Sequence, residues 1–258
     1  MVGFYKSLKF KKKDNIIMNR RNFLRVAGAT GALIAVSPST ISGRLYASTG
    51  LYEAYEKVQL LNAEGAPIKL SDLKKETNYV FNYPYRGTPT ILLDLEDTTA
   101  KDVKLKSEDG EEYIWKGGVG KNRTVVAYSA ICSHQLAHPT PDDSFLQYVQ
   151  KDKKTMACDH GGVMVCSSHL SSFEAKEGCK NISGPAAQPL ASIVLEIAED
   201  DTIYAVGVLG PDKFHEYFKA FKPEFKKYYN GKRKAKKKVK DNATMVPLTE
   251  YTKEIIQY

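Results

Sequence analysis

The chain has 258 residues, 42% of them hydrophobic, with 38 basic and 30 acidic side chains and a net charge of +8. Residues 1–48 hold 9 basic and 1 acidic residue, residues 212–258 hold 13 and 6, and residues 49–211 hold 16 and 23. The folded middle is thus acidic, which excludes reading the high overall pI as a nucleic-acid binder.

Near the start, Asn19-Arg20-Arg21-Asn22-Phe23-Leu24-Arg25 looks like a twin-arginine export signal. The weakly apolar run that follows, Val26 to Val36, is shorter than the ~20 residues needed to span a bilayer and suits a signal h-region. Met18 directly precedes the motif, so residues 1–17 read as an extended n-region or a misassigned start. Leu45-Tyr46-Ala47 is a poor small-x-small cleavage site, which leaves a removed signal and a retained membrane anchor both open. The expected location is the periplasm, free or anchored to the inner membrane.

From residue 49 to 211 the pattern is short β-rich runs between turn residues. Strands are expected at Lys57–Leu61, Tyr79–Tyr83, Thr90–Leu95, Glu112–Trp115, Thr124–Ala130, Gly162–Val165, Ile193–Ile197 and Ile203–Val208. Asp200-Asp201 should turn the last pair into a hairpin. The expected class is all-β, and a domain of this size can bury an adequate core.

Two of these strands run into short boxes that carry metal-ligand chemistry. Cys132-Ser133-His134 and Cys166-Ser167-Ser168-His169 each offer one thiolate and one imidazole. Two Cys and two His are the ligand set of a [2Fe–2S] centre with sulfur on one iron and nitrogen on the other. They are also a zinc set, although zinc sites generally keep like ligands together in sequence, whereas each box here mixes the two. Cys158-Asp159-His160 repeats the C-x-H spacing, but only five residues separate it from Cys166, too few for two opposing loops. Downstream lies Ser183-Gly184-Pro185-Ala186-Ala187-Gln188-Pro189-Leu190.

The C-terminal residues 212–258 open with Phe214, Tyr217, Phe218 and Phe221, spaced like one helix face. A basic run from Lys232 to Lys238 and a mixed tail with Tyr251, Ile255 and Ile256 follow. The bland expectation is a packed helix plus a solvated, partly disordered charge run. The functional alternative is a tether to an acidic partner or anionic lipid.

Across about residues 110–210 the two boxes and the Gly184-Pro185 segment resemble the Rieske family. The resemblance implies an antiparallel β-sandwich with a small cluster-binding subdomain, and one Rieske [2Fe–2S] cluster per chain. Cys132 and Cys166 would hold the inner iron and His134 and His169 the outer one. Gly184 and Pro185 would lie in a third loop closing over the cluster, and Ser171 would give a hydroxyl hydrogen bond to cluster sulfur. Phe173 stands where high-potential members have Tyr, so the midpoint is expected below the quinol-oxidising class. Loss of imidazole protons from the oxidised centre should make it fall as pH rises. The loop-to-loop disulfide of the cytochrome bc type is absent, with Ala137 and Ser168 at those positions. Cys158 and Cys179 are the candidates for a substitute disulfide, with two free thiols as the alternative.

By this resemblance the chain is an electron-transfer subunit rather than a catalytic subunit on its own. Its partner would be a catalytic or cytochrome subunit of a respiratory oxidoreductase, with an acceptor such as a c-type cytochrome. The features look most like the small subunit of a molybdenum enzyme of the arsenite-oxidase type. A quinol–cytochrome c reductase Rieske subunit comes second, and a structural zinc-binding module is the reading from another class. A Rieske oxygenase would need a further mononuclear iron site, for which His138, His160 and His215 are not arranged.

Overall fold

The computed structural model describes residues 50–257. The export motif and the apolar run after it lie outside the described residues. Strands β1 (Tyr52–Leu61), β2 (Tyr79–Asn82) and β3 (Pro89–Asp94) precede a hairpin of β4 (Val103–Lys106) and β5 (Glu112–Trp115). β6 (Val125–Ser129) leads into the first box, and β7 (Asp143–Ser144) and β8 (Leu146–Val149) come after it. β9 (Val163–Cys166) delivers the second box, and β10 (Ser171–Glu174) and β11 (Lys180–Ser183) lead away from it. β12 (Ser192–Ile197) and β13 (Ile203–Leu209) form the expected hairpin. Its turn is tied by Asp200, whose carboxylate accepts from the Thr202 N–H and hydroxyl.

The remaining chain is helical and then extended: α1 (Phe214–Ala220), α2 (Lys222–Tyr229), α3 (Lys232–Ala235), β14 (Asn242–Thr244), β15 (Val246–Pro247), α4 (Leu248–Tyr251) and β16 (Glu254–Ile255). The main sheet has eight strands in the order β14-β1-β13-β12-β6-β3-β2-β15. Its two outermost strands are joined by the single residue Met245, so the sheet curls into a near-barrel whose edges one short segment draws together. Met245 itself is buried, and its N–H donates to the Leu61 carbonyl at 2.8 Å.

Both faces of this sheet are covered, so β3 and β6 are buried along their whole length. Leu92, Val125 and Ala127 face one core with Phe81 and Ile193. Ile91, Leu93, Val126 and Tyr128 face the other, with Met164 and Phe173. This is the strand period of two applied to a sheet with cores on both sides. The second core lies under a four-stranded antiparallel sheet, β11-β10-β9-β8, a small subdomain that carries the second box.

Residues 212–257 differ most from expectation. They are part of the same compact unit as the strands before them. Phe214, Tyr217, Phe218 and Phe225 are buried in the first core together with Ala235, Val239 and Ala243. The lysine run is accordingly ordered: Ala235 and Val239, four residues apart, turn inward while the basic side chains face out. Asp142, after the first box, ties this region down by accepting from Lys227 Nζ, the Tyr228 hydroxyl and Lys253 Nζ. These three bonds hold its carboxyl well below the usual carboxylate range.

Candidate metal centre

Each box is a loop at the end of a buried strand. β6 continues through the buried Ala130 and Ile131 to Cys132. Cys166 closes β9 and pairs with Ser171 across the hairpin, which places His169 in the four-residue tip. The loops share a geometry. In each, the sulfur accepts from the backbone N–H groups two and three residues on, those of His134 and Gln135 in one and Ser168 and His169 in the other. In each, a leucine four residues after the Cys has positive φ, 65° at Leu136 and 60° at Leu170. Leucine seldom adopts this region, so both loops are bent to a fixed shape.

Mixed in sequence, the ligands sort by type in space. The Cys132 and Cys166 sulfurs lie within hydrogen-bonding reach of each other. The His134 and His169 rings lie edge to face with centroids 4.9 Å apart. Both cysteines are 1% exposed, whereas His169 is exposed and His134 half-buried. Among the described residues, the one trio of ligand atoms all within 4.8 Å of one another is Cys158, Asp159 and His160. No three of the four box ligands converge that closely. Around a single zinc with bonds of about 2.0–2.3 Å, tetrahedral ligand atoms stand about 3.5 Å apart. A sulfur pair set apart from a nitrogen pair matches a two-metal unit.

The electrostatics agree. The hydrogen bond from Cys166 lowers the Cys132 thiol below its ordinary value, against burial and with help from the two backbone N–H groups. The same bond, with burial, pushes Cys166 far up. Two adjacent buried thiolates therefore need a cation between them. Nδ1 of His134 is buried with no hydrogen-bond partner, an atom whose lone pair is left for a metal. These four residues fit a [2Fe–2S] group.

The Gly184-Pro185 segment clasps both boxes. The Ala186 N–H donates to Ser171 Oγ at 3.2 Å, and Ser133 Oγ donates to the Gln188 carbonyl at 2.8 Å. Gly184 has φ 78°, and a Cβ there would come within 2.4 Å of the Leu170 carbonyl oxygen. Gly184→Ala should therefore push this segment off the second box, and holo-protein should lose its visible absorption several-fold faster under a chelator than wild type. An unchanged loss rate would show that the close approach does not matter.

Ser171 is fully buried, and with Oγ accepting from Ala186 its own proton is left to donate. A hydrogen bond of about 1.4 kcal/mol corresponds to roughly 60 mV for one electron. Ser171→Ala is expected to lower the midpoint by up to that amount in a redox titration, and Phe173→Tyr to raise it.

One functional residue escaped the sequence reading. His138 is buried against α1 and α2, its ring edge to face with Tyr217 and Phe221 at 4.7 Å each. Nδ1 donates to the carbonyl of the left-handed Leu136 at 2.8 Å, and Nε2 meets the Glu224 carboxylate at 2.9 Å. The C-terminal helices thus brace the first box. The aromatic helix face was legible, but its target was not.

Of the two alternatives for Cys158 and Cys179, the structure has the free thiols, and all four cysteines are unbonded. Cys179 is 0% exposed in the core with Tyr113, Trp115 and Tyr128, whereas Cys158 packs at the edge of a separate cluster with Ala157 and Val163. Burial pushes the Cys179 thiol well up, as for an inert structural cysteine.

The fold and the paired side chains define a class: a β-protein whose two mixed Cys/His loops fit a binuclear iron–sulfur group. Residues 93–194 match the family model of the Rieske [2Fe-2S] domain. The chain is 35% identical, over 76% of its length and 84% of the relative's, to an iodate reductase subunit IdrB from Denitromonas iodatirespirans. It is 30% identical to the subunit of the same name from Pseudomonas sp. strain SCT, over 76% and 82% of the two chains. Among solved structures, the soluble domain of the Rieske protein II from Sulfolobus acidocaldarius matches with 25% identity and a TM-score of 0.44, over 61% of this chain and 80% of that one. The chain belongs to the Rieske [2Fe–2S] family, and it carries a Rieske-type cluster as an electron-transfer subunit of an oxidoreductase.

Proposed function

We propose that Cys132 and Cys166 hold the inner iron and His134 and His169 the outer one, and that the chain moves single electrons to or from a larger catalytic subunit that acts on an oxyanion. The observation that carries this is the sorting of ligands, with a buried sulfur pair beneath an exposed imidazole pair. Bound there, the cluster supplies one-electron redox chemistry. The chain's own residues bury the sulfur side, brace the first box through His138, close the third segment over the second box and leave the His169 edge open. Short-range electron transfer then proceeds through a partner docked over Gln135, Ser168 and His169, all exposed.

Iodate reduction is the reading that both named relatives support, and an arsenite-oxidase-like organisation with a molybdenum catalytic subunit is the architecture expected with it. The lack of a loop disulfide and the presence of Phe173 weigh against the quinol-oxidising type. The twin-arginine motif supports export to the periplasm, since that route carries folded, cofactor-loaded domains. Affinity purification of the full chain from its native membrane and soluble fractions is the test. Co-purification of a molybdopterin-containing subunit that turns over iodate is expected. A b-type cytochrome in its place would transfer the chain to the quinol-oxidising class.

A further inference from the structure

We propose that the face built by Lys232–Lys240 and Arg86 is a docking surface for an anionic phospholipid bilayer. Its backbone is pinned to the β2–β3 turn rather than free. The Gly87 N–H donates to the Ala235 carbonyl, Arg86 N–H to Lys237, and Val239 N–H to Pro84, all at 2.9–3.0 Å. A Cβ at Gly87 would come within 2.8 Å of the Ala235 side chain, so the close approach depends on glycine there. Ala235 is 0% and Val239 9% exposed. The seven basic residues between 232 and 240 are therefore carried on a rigid frame, which lowers the entropy cost of engaging a charged surface.

Their charge is uncompensated. Among the described residues, none of these seven or Arg86 forms an ion pair within 4 Å. Lys236 and Lys238 lie over the Phe218 and Tyr55 rings instead. Between Arg86, Lys237 and Lys240 runs an open groove of about 800 Å³, lined by four cationic side chains against the one carboxylate of Asp241. Its wall includes Asn82, whose Oδ1 is buried without a partner. A phosphate headgroup suits such a groove, with the surrounding lysines meeting neighbouring lipids.

The chain before the described residues favours lipid as the occupant. Residues 1–48 hold 9 basic residues, 1 acidic residue and the apolar run Val26–Val36. No described helix is long and apolar enough to cross a membrane.

The test compares full-length, cluster-loaded wild type with the variant K234Q/K237Q/K240Q in co-sedimentation with vesicles of mixed phosphatidylglycerol and phosphatidylcholine. A control, K101Q/K104Q/K121Q, removes equal charge from elsewhere. Polybasic attraction acts per residue near the surface and is screened by salt. The face variant is expected to bind at least tenfold more weakly at low salt, the control to match wild type, and wild-type binding to fade at high salt and on pure phosphatidylcholine. Equal binding by wild type and face variant overturns the proposal. So does a face variant that binds vesicles normally but no longer co-elutes with the partner subunit, which would assign the face to an acidic protein.

Discussion

A chain that stops at Pro211 is expected not to reach the native fold. The residues it lacks supply Phe214, Tyr217, Phe218 and Phe225 to the first core, and all four are less than 5% exposed. They also supply β14 and β15, which pair with β1 and β2 at the two edges of the main sheet. Without them a long face of the barrel and two strand edges would be open to water, conditions that favour aggregation over folding. Even the single change Phe218→Ala should cost about 3–5 kcal/mol, a large part of the ~5–15 kcal/mol that stabilises a domain. Denaturant unfolding of the point variant and expression of the truncated chain are the measurements. A soluble truncation product with native visible absorption would show that this segment is an appendage after all.

Cys166→Ser is expected to abolish the cluster outright. Its sulfur lies in hydrogen-bonding reach of Cys132, and a hydroxyl of ordinary acidity cannot replace a thiolate between two buried loops. Iron and acid-labile sulfide should fall together to background, and the rhombic EPR signal of the reduced protein should vanish. Cys158→Ser should leave all three intact, because Cys158 packs in a different cluster. That contrast separates the two C-x-H patterns, Cys132-x-His134 and Cys158-x-His160. Purified wild type with zinc and no iron would refute the assignment.

The candidate site could be read because two Cys and two His at two spacings carry metal-ligand chemistry in residue type alone. The long apolar strands were legible too: β3, β6, β12 and β13 fall within a residue or so of expectation. What failed did so for physical reasons. β10 begins Ser171-Ser172 and β11 alternates exposed and half-buried residues. Such strands are held by neighbours in a small sheet rather than by their own apolarity. β14 and β15 are two or three residues long, and what fixes them is pairing with strands some 170–180 positions away, which no local period reports. The lysine run looked solvated because only Ala235 and Val239 interrupt it, and two small residues give little hydrophobic signal. His138 looked spare because its partner, Glu224, lies 86 residues along the chain.

Pairing the first strand with one as late as β14 has a consequence for biogenesis. β1 cannot gain its outer neighbour until Asn242–Thr244 has been synthesised, so a nascent chain still threaded through the ribosome can assemble the ligand loops but not seal the barrel around them. Domains whose contacts span so much sequence fold slowly and late. Closure of the barrel is thereby expected to follow formation of the two Cys/His loops, whose strands need only neighbours made earlier or close by in the chain.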